Sequence, residues 1–149
     1  MRVPRIYTDQ PLASETTVTL GEEPSKHLIK VLRLRPEAHL YLFNGDGRDY
    51  EGRIRSAAKQ GVVVEISKAS AIEPEPAIRF ILGQGISRGE RMDYVIQKAV
   101  ELGVSGFVPL FTERTVVKLK GEKQERRMGH WRKVMIAACE QSGRKHLPL

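Results

Sequence analysis

The stretch IRFILGQGISRGERMDYVIQKAVELGVSGFVPL, residues 78–110, decides how the second half of the chain folds. Ile78 to Leu82 is an apolar run of strand length, and the glycine-bearing segment GQGISRGE follows it. From about Arg91 to Leu102, the residues Met92, Val95, Ile96, Ala99 and Leu102 share one helical face, with Gly103 as the stop. Phe107 to Leu110 predicts a second strand. A longer helix, from about Lys123 to Ser142, aligns Met128, Trp131, Met135 and Ala138 and ends at Gly143. Strand, helix, strand, helix is the opening of a parallel α/β sheet. Two strands make a small sheet, and Leu147-Pro148-Leu149 stands where a third is expected to begin, so this half reads as a cut-off domain.

Upstream of this stretch the rhythm differs. Ala69 to Pro76, ASAIEPEP, has no periodicity and carries two prolines, which predicts a linker at residues 73–77. Before it, strands are predicted at Arg2 to Tyr7, Thr16 to Leu20, Ala38 to Phe43, Arg48 to Arg55 and Val62 to Ile66. Asn44-Gly45-Asp46-Gly47 supplies the positive φ of a hairpin turn, and Lys59-Gln60-Gly61 makes the next turn. One helix, from about Pro24 to Leu32, places Leu28, Val31 and Leu32 on one face. Five short strands and one helix predict a small β-barrel over residues 1–72, with the α/β portion over residues 78–149. The fold class is therefore α+β, in two domains.

Composition narrows the function. Among 149 residues, 40% are hydrophobic and 29% charged, which suits a globular protein. The longest apolar run, Val134 to Cys139, is far shorter than the ~18 residues of a membrane span. The opening MRVPRIYTDQ lacks the apolar segment of a secretory signal. A single cysteine excludes an internal disulfide, and a cytoplasmic protein without membrane attachment is expected. The net charge of +7 is unevenly placed: residues 1–113 are neutral overall, and the whole excess lies in residues 114–149. A second all-basic stretch, Lys26, Lys30, Arg33 and Arg35, lies inside the neutral part. Two separated basic surfaces suit a polyanion, whose phosphates release counterions on binding; a solvated helix face is the plainer reading of any one run.

Motifs for other chemistry are weak. Gly83-x-Gly85-x-x-x-Gly89 is one residue too long for a dinucleotide fingerprint, and no acid stands about 20 residues further on. His27, His39, His130 and His146 are scattered, and no metal site is expected. Cys139 and Trp131 belong to the apolar stripe of their helix. Arg114 and Arg144 each follow the end of an element, and both are expected on the edge where α/β sheets bind ligands.

Four segments carry a resemblance: HLIKVLRLR (His27 to Arg35), YVIQKAVELGV (Tyr94 to Val104), PLFTERTVVK (Pro109 to Lys118) and AACEQSGRKHLP (Ala137 to Pro148). They resemble the RsmE-type members of the SPOUT methyltransferases, which form 3-methyluridine in 16S rRNA, and the similarity runs the length of the chain. The resemblance implies an amino-terminal PUA-like barrel for RNA and a carboxy-terminal α/β domain with a trefoil knot, usually in a homodimer. It implies S-adenosylmethionine as methyl donor, with donor-binding loops in a carboxy-terminal portion that this chain lacks. By the same resemblance, Arg114 and Arg144 stand near the target base, and Glu140 and Gln141 position them. Arg5, Lys30, Arg33 and Arg35 hold the rRNA backbone on the barrel side, and the helix residues Arg126, Arg127, Arg132 and Lys133 add phosphate contacts. The partner is then 16S rRNA of the small ribosomal subunit, with this chain alone expected to be inactive. The alternatives are a non-enzymatic RNA-binding protein or fragment and, more remotely, a small-ligand enzyme built on GQGISRGE.

Overall fold

The structure, a computed structural model, describes residues 3–58, 60–115 and 120–149. Arg2 of the first predicted strand, Lys59 of the predicted turn, and Val116, Val117 and Lys118 of TERTVVK lie outside the described residues. The chain divides into two compact units, Met1–Glu75 and Pro76–Leu149.

The first unit is built on a five-stranded sheet of β1 (Arg5–Tyr7), β2 (Thr16–Thr19), β3 (His39–Phe43), β4 (Tyr50–Ala58) and β5 (Gly61–Ala69), in the order β1-β3-β4-β5-β2. β1 runs parallel to β3, and the other neighbours are antiparallel. Strand side chains alternate between faces, so β3 buries Leu40 and Leu42, β4 buries Tyr50 and Ile54, and β5 buries Val62, Val64 and Ile66. These join Ile6, Leu20 and Leu28 in one cluster, with Val18 of β2 packed against it. Every strand thus contributes to a single core, and the sheet must curl around it. At the β4–β5 turn Gly61 has φ +130°, and a Cβ there would stand 2.4 Å from the Leu20 carbonyl oxygen. Only glycine allows that approach.

Helix α1 (Glu22–Lys26) continues into a π turn at His27–Val31. This corrects the expected helix face. Leu28 is fully buried, whereas Val31 is 65% and Leu32 37% exposed. The π turn bonds residue i to i+5, seen here as Leu32 N–H to His27 O at 3.0 Å, and that wider winding rotates the later residues off the line through Leu28.

The second unit pairs β6 (Ile81–Gly85) with β7 (Gly106–Leu110) in parallel, joined by α2 (Glu90–Glu101) and followed by α3 (Glu122–Ser142). The predicted strand at Ile78 to Leu82 is displaced, because its ladder begins where Ile81 meets Gly106. Gly83 and Gly85 therefore belong to the strand, and the glycine loop contracts to Ile86-Ser87-Arg88-Gly89. Helix α2 buries Met92, Ile96 and Val100, while Leu102, just past its end, is 88% exposed. Helix α3 buries Trp131, Met135, Ala138 and Cys139, and Met128 remains half exposed. On the outer edge of β7, Leu149 donates its N–H to Ser105 O at 3.0 Å and accepts from Phe107 N–H at 2.9 Å.

Candidate nucleic-acid interface

In the first unit, the chain leaving the π turn carries Lys30, Arg33 and Arg35, all exposed. Lys30 also lines a cleft of about 410 Å³ with Lys26, Ile29, Gln60 and Gly61. Lys26 is ion-paired with Glu22, which raises the lysine pKa and lowers that of the glutamate through their shared hydrogen bond. Arg5 is a correction to the expected set. Its side chain is 8% exposed, its Nη2 and Nε donate to Asp49 Oδ1 at 2.6 and 3.0 Å, and its guanidinium lies 4.3 Å from the Phe43 ring centroid. A guanidinium enclosed in this way ties β1 to the segment entering β4 and is not presented to a phosphate.

Beside β3, β4 and β5 a second charged group forms. Glu37 accepts from Arg53 and Arg55 at 3.0 Å each, and Arg55 also pairs with Glu65. The two arginine hydrogen bonds hold the Glu37 carboxyl below its ordinary pKa. These cations are already matched by acids.

In the second unit both strand-to-helix turns lie at the carboxyl edge of the parallel strands, where such sheets present ligand-binding groups. The first turn carries Arg88. The second is closed by Thr112 N–H to Thr115 Oγ1 at 2.8 Å and Thr115 N–H to Thr112 O at 2.9 Å, and it exposes Arg114. Neither arginine forms an ion pair with another described residue.

Arg144 lies elsewhere. Its Nη1 donates to Val104 O at 2.5 Å and to Val100 O at 3.3 Å, at the end of α2 and ahead of β7. Arg114 and Arg144, both expected near the target base, thus stand beyond opposite ends of β7, a strand of five residues and about 13 Å. The reason is topological: a helix that returns across a parallel sheet ends at the strands' amino edge. Glu140 and Gln141, on the last turn of α3, share the edge of Arg144. Arg88 takes its place as the arginine nearest in topology to Arg114. Sequence reading passed over it because the glycine spacing of its loop was wrong for a nucleotide, although a turn after a parallel strand is itself a signal.

The four basic residues of α3 do not share one face. Arg126, 3.7 Å from Glu122, Arg132 and Lys133 are exposed, whereas Arg127 is half-buried. Arg132 borders an apolar groove of about 600 Å³ lined by Met92, Ile96, Phe107, Trp131, Met135 and Leu149, among others. His130 Nε2 meets Asp93 Oδ2 at 2.7 Å and links α3 to α2. Among the described residues no group of three or more His, Cys, Asp or Glu side chains is placed to hold a metal ion, and no helix is long and apolar enough to cross a membrane.

Comparison with known proteins gives the same division in family terms. A profile described as an RNA methyltransferase domain matches residues 73–149, and one described as an RNA methyltransferase PUA domain matches residues 20–67. Ribosomal RNA small subunit methyltransferase E of Buchnera aphidicola (subsp. Acyrthosiphon pisum) is 31% identical over 147 residues, covering 99% of this chain and 58% of the relative. The protein of the same name from Bacillus subtilis is 27% identical over 141 residues, covering 95% of this chain and 55% of the relative. The structure of ribosomal RNA small subunit methyltransferase E from Neisseria gonorrhoeae, bound to S-adenosyl methionine, superposes with a TM-score of 0.91 at 37% identity, over 99% of this chain and 60% of that one. The chain thus spans somewhat under two thirds of the length of these relatives. By its matched domains, sequence and fold, the chain belongs to the RsmE-type RNA methyltransferases.

Proposed function

We propose that this protein serves the S-adenosylmethionine-dependent methylation of ring nitrogen 3 of a uridine in 16S rRNA of the small ribosomal subunit, in the cytoplasm. In this reading residues 1–72 are a PUA-like RNA-binding barrel, residues 73–77 a linker and residues 78–149 the first part of a SPOUT methyltransferase domain that works as a homodimer in the full-length family. The observation that carries the proposal is the match to methyltransferase E proteins across nearly the whole chain, through both units.

S-adenosylmethionine has a sulfonium, an ammonium, a carboxylate and an adenine, whereas the groove beside α3 is apolar, with Arg132 the charged side chain of its lining. The chain's own residues act on the RNA side. The uridine imide is weakly acidic, and once its proton leaves, the charge spreads over the ring oxygens. Arg114, exposed on the carboxyl edge, offers guanidinium N–H groups to that charge, and Arg88 on the neighbouring turn offers a second set. Arg144 supports the α2–β7 turn, with Glu140 and Gln141 beside it. Lys30, Arg33 and Arg35, together with Arg126, Arg132 and Lys133, supply phosphate contacts; half-buried Arg127 contributes less.

A second reading, an RNA-binding protein without catalysis, is favoured by the poor match between that apolar groove and a charged methyl donor. Tritium transfer from S-adenosylmethionine to undermethylated small-subunit particles separates the two, run on the 149-residue chain and on the chain continued by the carboxy-terminal part of a relative. Methyl transfer to uridine N3 by the continued chain, lost with Arg114→Ala, supports the first reading. Salt-dependent rRNA binding with no transfer from either protein supports the second. Failure to bind rRNA refutes both.

A further inference from the structure

We propose that the turn Val31-Leu32-Arg33 grips an unpaired stretch of RNA, with Arg33 on a phosphate and the outward Val31 and Leu32 against a base. The inference rests on the RNA-binding reading above and goes further in naming the form of RNA and the groups that hold it.

The first observation is a mismatch between residue and backbone. Leu34 N–H reaches back to Leu28 O at 3.0 Å, closing the end of the π turn, and the residue inside that closure, Arg33, has φ 52°. A helix end of this kind is normally occupied by glycine, or by asparagine, because a Cβ in the left-handed region crowds the following carbonyl. Glu15 and Glu37 also have positive φ, at 58° and 71°. Glu15 sits in the turn that enters β2 and closes no helix, and the Glu37 carboxylate holds Arg53 and Arg55 at 3.0 Å each, so its side chain has an internal use. Arg33 is exposed and makes no hydrogen bond or ion pair with another described residue. Among the described residues no side-chain partner accounts for arginine where glycine would be easier.

The second observation is the company that Arg33 keeps. The π turn brings out Val31 and Leu32, which an ordinary helix would have aligned with buried Leu28, and it leaves Ile29 36% exposed. Lys30 and Arg35 are exposed on either side, and no acid occurs from Lys26 to Pro36. Cations alone would suit any polyanion. An A-form duplex, however, shows a protein mainly phosphates and sugar hydroxyls, against which exposed valine and leucine gain little. An unpaired nucleotide shows a phosphate and an apolar base face together, which is the combination this turn can meet.

The test uses the intact 149-residue chain, a fluorescent 12-nucleotide oligouridine, and a 12-base-pair RNA duplex, titrated over a salt series. Arg33→Gly relieves the backbone, so its thermal midpoint should rise by about 4 °C. The same variant should bind the oligouridine about tenfold more weakly, with the salt slope reduced by about 0.7, the loss of one single-strand phosphate contact. Val31→Ser should weaken the oligouridine about fivefold and leave the duplex unchanged. A fall in midpoint for Arg33→Gly, unchanged oligouridine affinity in either variant, or equal losses on duplex and single strand overturns the proposal. Tighter binding of the turn to anionic phospholipid vesicles than to RNA overturns it as well. If the unsubstituted chain binds neither RNA, it is the RNA-binding reading itself that fails.

Discussion

Replacing Arg5 with alanine removes a guanidinium from a place that water barely reaches. Its side chain is 8% exposed and that of Asp49 19%, with two nitrogens on one carboxylate oxygen at 2.6 and 3.0 Å. Breaking a buried pair by deleting one partner costs about 3–5 kcal/mol, because the other charge is left desolvated; Asp49 retains some water, which puts this pair near the lower end. Loss of the contact with Phe43 adds roughly 1 kcal/mol. The expected destabilisation is thus about 3–4 kcal/mol, a large share of the 5–15 kcal/mol typical of small domains. Urea unfolding of Arg5→Ala, Asp49→Ala and the double variant measures it, and the double variant should be much less destabilised than the sum of the singles. Arg5→Lys keeps the charge but loses the two-nitrogen grip, so its rRNA salt slope should match that of the unsubstituted protein while its stability falls. A stability loss below 1 kcal/mol for Arg5→Ala, together with a salt slope lowered by about one unit, would show that Arg5 meets phosphate after all.

Two further outcomes follow from the first unit's core. Ser25 Oγ accepts from Val62 N–H at 2.9 Å and donates to Leu20 O at 3.1 Å, all buried, so Ser25→Ala leaves an orphaned donor and should cost about 1–3 kcal/mol. Hydrogen exchange at the Val62 amide should speed up accordingly; unaltered protection there would refute the bridge. Burial first, and then its hydrogen bond to Asp46, push the Tyr50 phenol up to about 12. A raised folded pKa means that the stability tied to the neutral phenol is fully present below pH 10 and is lost as pH rises through about 12, in all roughly 2–3 kcal/mol. Tyr50→Phe should flatten the unfolding free energy across that window relative to the unsubstituted chain, and an identical alkaline slope in the two proteins would refute the assignment.

Local pattern determined much of this protein. Alternation on either side of Asn44-Gly45-Asp46-Gly47 is enough to specify β3 and β4, because strand faces have period two and the turn residues supply positive φ. The stripe of Trp131, Met135 and Ala138, ended by Gly143, specifies α3 for the same kind of reason. The four family segments, with their order along the chain, carried the reading of what the protein belongs to. What pattern could not show depends on partners far away in sequence. Arg5 reads as one more surface cation until the fold brings Asp49, 44 residues later, against it. Ile81 rather than Ile78 begins β6 because the ladder starts where Gly106 lies alongside. Val31 and Leu32 turn outward because the backbone chose i+5 closure, a choice made by the packing of Leu28 and the bond from Leu34, which no helical periodicity encodes. Arg144 joins the amino edge and Arg88 the carboxyl edge because the direction in which each helix crosses the sheet is a property of the assembled unit. Spacing along the chain fixes which face a side chain takes within its own element, but which charges meet is settled only when separate elements pack.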